Sequence, residues 1–281
     1  MSRFFEPGVP VNVHSGSVPV QRVLCPNASM MTGPGTNSYL IGEREMALVD
    51  PGPADDRHTD AILNALAGRV LRKIFVTHTH SDHSPGTRLL QLRTGAEVIG
   101  LAPPEEGHHD RSFQPSRHYQ AGERIDCDEY VMHLLHTPGH VSNHFCFLLE
   151  KENMLFTGDH ILEGMTPVIL PPDGSMSAYL HSLQTLQQLE LAALAPGHGE
   201  VMRDPGQVIG KLIRHRLQRE QKVVNGLQEL GPCTLDTLVL RVYDDVQAHL
   251  IPWAKKTLLA HLIKLEEEKR IACSGEHWEQ L

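Results

Sequence analysis

Between residues 18 and 50 short apolar runs alternate with turn residues. Residues 20–26 are followed by Gly33-Pro34-Gly35, then by residues 38–41 and 46–50. β-branched and apolar content between such punctuation predicts strands. The period then changes: within residues 55–67, Ile62, Leu63 and Leu66 fall on one helical face. Residues 73–77 and 97–100 read as strands and 85–93 as a helix. Residues 102–120 are polar and loop-like. Strands follow at 130–136, 144–149 and 154–157, a helix at 175–189 with Tyr179, Leu180, Leu183 and Leu186 on one face, and a last short strand at 191–195. Strands and helices alternate, so the expected class is α/β or mixed α+β.

A boundary is expected near Asp204-Pro205-Gly206, dividing the chain into domains at 1–205 and 206–281. Beyond it the pattern is helical. One helix is expected over 215–230, closed by Gly231-Pro232. A short one runs from an N-cap at Thr234 to Tyr243. A third has Pro252 in its first turn and Leu258, Leu262 and Leu265 on one face. Residues 271–278 read as a hairpin with a Ser274-Gly275 turn. Three helices and a hairpin outline a winged helix.

Composition changes this picture little. The 281 residues are 40% hydrophobic and 21% charged. No apolar run approaches the ~20 residues that span a membrane. The N-terminal stretch has prolines where an export signal carries an apolar core. Five scattered cysteines form no CxxC pair, so a reduced, cytoplasmic setting is expected. The formal charge of −9 is uneven. Residues 206–281 carry 11 Lys and Arg against 10 Asp and Glu, while residues 1–205 carry 14 against 24. An acidic larger part argues against a general nucleic-acid coat. The 19 histidines are the compositional signal worth following.

Five of them and two aspartates form a pattern. His78-Thr79-His80-Ser81-Asp82-His83 directly follows the apolar run at 73–77. In an extended segment residues i and i+2 point the same way, so His78 and His80 can face one cation. If the chain then turns into a helix, Asp82 and His83 can face a second. Imidazole and carboxylate suit zinc and its neighbours. The alternative, a polar loop histidine-rich by chance, is disfavoured by three His and one Asp in six residues. His140, Asp159 and His198 each end a glycine turn after an apolar run: Thr137-Pro138-Gly139-His140, Thr157-Gly158-Asp159 and Pro196-Gly197-His198. Either histidine turn alone would mean a surface histidine; the joint order is specific.

These residues resemble the metallo-β-lactamase fold superfamily over roughly residues 18–204. The resemblance implies an αββα sandwich. It implies that His78, His80 and His140 bind one metal, that Asp82, His83 and His198 bind another, and that Asp159 bridges them. A bridging aspartate is shared with the hydroxyacylglutathione hydrolase and nuclease branches and argues against a true β-lactamase. Gly35-Thr36-Asn37-Ser38-Tyr39-Leu40, the Pro-Gly-His-Gly ending and the winged-helix outline are similar to the β-lactamase-like protein 2 group, which implies cleavage of single-stranded RNA. Ser84-Pro85-Gly86 departs from the usual Gly-Gly, which stiffens that turn.

The expectation is therefore a dinuclear metal-dependent hydrolase with two divalent ions, zinc by default and manganese or iron as alternatives. Asp82 is expected to take the nucleophile's proton and His144 to line the substrate side as a proton donor, its alternative being a hydrogen-bonded strand-end histidine. Asn37 orients either substrate or its own loop. His108-His109-Asp110 is read as solvated surface and His160 as packing. Lys255, Lys256, Lys264, Lys269 and Arg270 are either a nucleic-acid face or, interleaved with Glu266, Glu267 and Glu268, a solvated one. The function expected first, from the resemblance, is an endoribonuclease-type phosphodiesterase on single-stranded RNA, although the acidic catalytic part disfavours tight polynucleotide binding; the alternatives are a thioester or small-ester hydrolase and a non-enzymatic winged-helix DNA-binding ligand sensor.

Overall fold

The computed structural model describes residues 5–281; the first four residues, part of the stretch read above for an export signal, lie outside them. The chain forms two compact units. The first comprises the residues up to Thr137 with Asn143–Pro167 and Leu189–Gly206; the second comprises Pro138–Ser142, Val168–Gln188 and Gln207–Leu281.

The first unit holds two sheets. One has six strands in sequence order: β1 (Val11–Ser15), β2 (Pro19–Leu24), β3 (Asn37–Ile41), β4 (Glu45–Val49), β5 (Val70–Phe75) and β6 (Glu97–Ile99). The other runs β11-β10-β9-β8-β7, built from β7 (Arg124–Asp126), β8 (Val131–His136), β9 (Phe145–Leu149), β10 (Met154–Gly158) and β11 (Ala193–Pro196). Alternation decides which face each side chain takes. Val20, Tyr39, Ile41, Val49 and Phe75 of the first sheet meet Met132, Leu134, Phe145, Phe147 and Phe156 of the second in one core. Val23, Leu40, Leu48 and Ile74 point the other way, onto Ile62 of α1 (Asp56–Ala65) and Leu90 of α2 (Thr87–Thr94). Asp55 caps α1 by accepting from the amides of Arg57 and His58.

Two strands had no clear signal in the sequence: β1, whose Val-Asn-Val-His-Ser is half polar, and β7, three residues long. The strand expected at 73–77 begins earlier and ends at Phe75. Thr77 therefore lies in the loop that carries the histidines.

The second unit contains α3 (Met176–Gln187), α4 (Pro205–Leu230), β12 (Cys233–Thr234), α5 (Leu235–Val242), α6 (Ile251–Glu267), β13 (Ile271–Ser274) and β14 (His277–Gln280), the two residues before Gln207 belonging to the first unit. α4 begins ten residues before the expected helix. Proline is tolerated in a first helical turn, so the helix opens at Pro205. Thr234 caps α5 through the Thr237 amide. Val223, Leu227, Leu238, Val242, Leu258, Leu262, Leu265 and Trp278 form its core. β12, β14 and β13 make a three-stranded sheet. Within this unit Ser177 of α3 donates to Glu267 of α6 at 2.9 Å. Among the described residues no helix is long and apolar enough to cross a membrane.

Candidate metal centre

Strand direction explains why distant residues meet. β4 and β5 are parallel with Val49 beside Phe75, so Asp50 and the segment from Val76 onward leave the same edge. β10 and β11 are also parallel, which brings Asp159 and His198 off one edge of the second sheet. Gly197 packs between Asp159 and His83: a Cβ there would stand 2.7 Å from Asp159 Oδ1 and 2.7 Å from His83 Cε1. Gly158, at φ +46, leaves no room for one beside Thr77 Oγ1, 2.5 Å from where it would sit.

Two groups of donors result within the first unit. Ligand atoms of His78, His80 and Asp159 lie within 4.8 Å of one another, as do those of Asp82, His83 and His198. His78 Nε2 and His80 Nδ1 are 3.0 Å apart. Asp159 Oδ1 is 3.3 Å from both His83 Nε2 and His198 Nε2, so its carboxylate belongs to both groups. Asp82 Oδ2 lies 3.4 Å from His83 Nε2 and 3.2 Å from His198 Nε2. His140 lies in the second unit's turn Pro138–Ser142, its Nδ1 2.8 Å from the carbonyl of Val168.

The other ring nitrogens are held from behind. His83 Nδ1 is 2.9 Å from Asp50 Oδ2, His78 Nδ1 3.0 Å from Thr77 Oγ1, and His198 Nδ1 3.0 Å from the Gly35 carbonyl. Such contacts fix the tautomer and leave Nε2 for a metal. Asp50 is buried, accepts from Thr77 N at 2.7 Å and from Thr77 Oγ1 at 2.8 Å, and adopts φ +54. Neither Asp50 nor Thr77 stood out in the sequence. The signal was there in outline: an acid closing an apolar strand before Pro51-Gly52.

The donors fit a divalent cation. His83 Nε2 is fully buried and makes no hydrogen bond, facing two carboxylates instead. Burial alone would strip the proton from His83 and His198, but the carboxylates around them outweigh it. Asp82, Asp159 and Asp50 hold the His83 imidazole well above its usual range. Asp159 and Asp82 lift His198 to about 10. Burial likewise disfavours ionised Asp82 and Asp159, yet the imidazoles keep both carboxyls well below the carboxylate range. The pocket demands positive charge, which protons meet when no metal does.

The remaining candidates fall elsewhere. His144 is fully buried before β9, its Nδ1 2.9 Å from Thr137 Oγ1 and its ring stacked on His78 at 5.2 Å between centroids. His160 is buried 5.7 Å from His144. Asn37 is buried and donates to the carbonyls of Pro196 and Gly199, bracing the loop around His198. His108 is exposed, as expected, but His109 and Asp110 dock against the histidine loop: His109 Nδ1 lies 2.8 Å from Thr79 Oγ1, and Asp110 accepts from Ser84 Oγ at 2.8 Å. Of the C-terminal cations, Lys255 pairs with Asp236, Lys256 covers the Trp253 ring, and Lys264 and Arg270 pair with Glu220 and Glu268.

A two-sheet sandwich carrying clustered histidines and aspartates on its strand edges is a hydrolase architecture of the metallo-β-lactamase type. Residues 31–198 match the Metallo-beta-lactamase superfamily, and 234–278 match the Beta-lactamase associated winged helix domain. The chain belongs to the metallo-β-lactamase superfamily. It is 29% identical over 255 residues to a "Beta-lactamase-like protein 2 homolog" of Caenorhabditis elegans, covering 89% of this chain and 83% of that one. It is 31% identical over 238 residues to an "Atrochrysone carboxyl ACP thioesterase" of Passalora fulva, covering 80% and 68%. The fold matches a β-lactamase domain protein from Burkholderia ambifaria with a TM-score of 0.81 at 17% identity, over 98% of this chain and 95% of the other.

Proposed function

We propose that this hydrolase uses two divalent cations, zinc by default, to cleave a thioester or comparable small acyl ester. His78, His80 and His140 would hold one ion, Asp82, His83 and His198 the other, and Asp159 both. The observation that carries the two-ion reading is the Asp159 carboxylate, which stands with His78 and His80 while reaching both His83 and His198 at 3.3 Å. Such a pair supplies a water acidic enough to attack at neutral pH and positive charge for the substrate oxygen. The chain's own residues do the rest. Asp82, partly open to solvent, accepts the proton of the attacking water. Asp50, Thr77 and the Gly35 carbonyl hold the imidazoles in the tautomer that leaves Nε2 available. The full burial of His144 favours a part in steadying His78 over direct contact with substrate.

Two observations support an acyl substrate. Residues 1–205 carry ten more acidic than basic side chains, and a polyanion is disfavoured by such a surface. Of the C-terminal cations named above, Lys255, Lys264 and Arg270 are engaged in ion pairs and Lys256 lies on an aromatic ring. The Passalora relative's thioesterase name points the same way. Cleavage of single-stranded RNA rests on the resemblance to the β-lactamase-like protein 2 group and is the second reading. The test is zinc-loaded protein assayed on acyl thioesters, by release of free thiol, and on end-labelled single-stranded RNA. Thiol release that vanishes with chelator and with Asp159→Ala supports the proposal. RNA cleavage without thioester turnover overturns its substrate class.

A further inference from the structure

The loop at 108–112 is fastened to the outside of the histidine segment, and it places one more imidazole against a metal-facing one. Thr79, between His78 and His80, points away from them and is fully buried. Its hydroxyl accepts from Asn143 Nδ2 at 2.8 Å and is hydrogen-bonded to His109 Nδ1, also at 2.8 Å. That bond sets the direction of the His109 ring, which lies nearly parallel to His80, 22° between planes and 5.4 Å between centroids. The loop is held there independently of His109. The Asp110 amide donates to the Thr79 carbonyl at 2.7 Å, Ser84 Oγ donates to Asp110 Oδ2 at 2.8 Å, and Asp110 Oδ1 accepts from the amide and hydroxyl of Ser112 at 2.9 and 2.6 Å.

His80 is more open than His78: it is half-buried where His78 is buried. His78 is steadied by Thr77 on its edge and by His144 on its face. The corresponding face of His80 is covered by His109. We propose that His109 is a positioning residue for the metal centre, holding the His80 imidazole in its ligating orientation through ring stacking while Thr79 holds His109. The inference rests on the metal-centre reading above and adds a residue that the ligand pattern does not contain.

The test is competition between the zinc-loaded protein and a chelator, with released metal measured directly, so that no activity is needed. Partners that orient a ligand change affinity by about 10- to 100-fold. His109→Ala is expected to release one of two ions at a 10- to 100-fold lower chelator concentration and to leave the other where it was. His109→Phe keeps a ring face over His80 and is expected to recover most of that loss. Unfolding of the metal-free proteins should occur at the same temperature, because the loop keeps its Asp110 bonds. His109→Gln replaces the alanine variant if that chain does not fold. Two ions that leave His109→Ala as they leave the unsubstituted protein overturn the proposal. So does equal weakening of both, or a phenylalanine variant no better than alanine. An unsubstituted chain that binds no metal overturns the metal-centre reading itself.

Discussion

Replacing Asp50 by asparagine changes one oxygen to an amide and tests how the whole centre is oriented. Asp50 Oδ1 accepts from Thr77 N, and Oδ2 accepts from both Thr77 Oγ1 and His83 Nδ1. With its proton given to Asp50, the Thr77 hydroxyl is an acceptor for His78 Nδ1, 3.0 Å away. One carboxylate thus fixes the tautomer of a histidine in each group of donors. An asparagine that keeps its oxygen toward Thr77 N presents N–H groups to His83 Nδ1. His83 must then accept there and carry its proton on Nε2, where a metal would bind. The loss expected from such a partner is about 10- to 100-fold in affinity, or about 1.4–2.8 kcal/mol per ion. Asp50→Asn should therefore weaken both ions. Thr77→Val removes only the hydroxyl and should weaken the ion at His78 while leaving the one at His83 largely in place. Chelator competition with metal analysis on both variants separates the cases. If Asp50→Asn retains two ions at unsubstituted affinity, the orientation argument is wrong. If Thr77→Val loses both ions equally, the proposed chain from Asp50 through Thr77 to His78 is wrong.

Three further outcomes are expected. Turnover of a chromogenic cephalosporin should be negligible, because the Asp159 carboxylate adds negative charge between the two groups of ligands; efficient cleavage would refute this. Zinc binding near pH 7 should release protons, since His83 and His198 are held protonated by Asp82 and Asp159 without metal; calorimetry in buffers of different ionisation enthalpy measures it, and equal heats in all of them would contradict it. In the second unit, burial alone would raise the Glu220 carboxyl, but His261 at 3.9 Å, Lys264 at 2.7 Å and Arg270 at 2.9 Å hold it down at about 2. Its folded value lies below the unfolded one, so its stabilisation, on the order of 1–3 kcal/mol after allowing for partial solvent access, is present above about pH 4.5 and is lost as the pH falls toward 2. Glu220→Gln should accordingly destabilise the protein at pH 7 and converge with the unsubstituted chain near pH 2 in urea titrations; a difference that does not change with pH would rule that out.

The pattern of candidate ligands was legible because it is local. His78, His80, Asp82 and His83 sit in six consecutive residues, and Asp159 and His198 each end an apolar run in a glycine turn, so strand, turn and ligand can be read together. What orients the ligands was not legible, because it is made by pairing between strands. Asp50 and Thr77 are 27 residues apart and meet only because β4 and β5 run parallel and end with Val49 beside Phe75. The same holds for His109, in a loop whose polar composition reads as solvated. Its docking depends on the inward-facing Thr79 hydroxyl, and alternation along the histidine segment indicates that direction only once the segment's edge of the sheet is known.

Element boundaries failed for a related reason. Asp204-Pro205-Gly206 carries residues that end helices and residues that begin them, and only the structure shows Pro205 in a first turn. The first-unit strands that escaped, β1 and β7, are short or half polar and owe their form to neighbours: β1 to Val20 and Arg22 across the ladder, β7 to Met132 and its flanks. The acidic character of residues 1–205 takes on a different meaning once Asp50, Asp82 and Asp159 are seen together. These three buried or half-buried carboxylates are compensated by histidines, and the histidines' charge is set by what else the pocket holds. A net charge counted with neutral histidines therefore overstates the negative field at the site, while the exposed carboxylates elsewhere retain theirs. That distinction is why the acidic surface weighs against a polyanionic substrate without weighing against the metal centre itself.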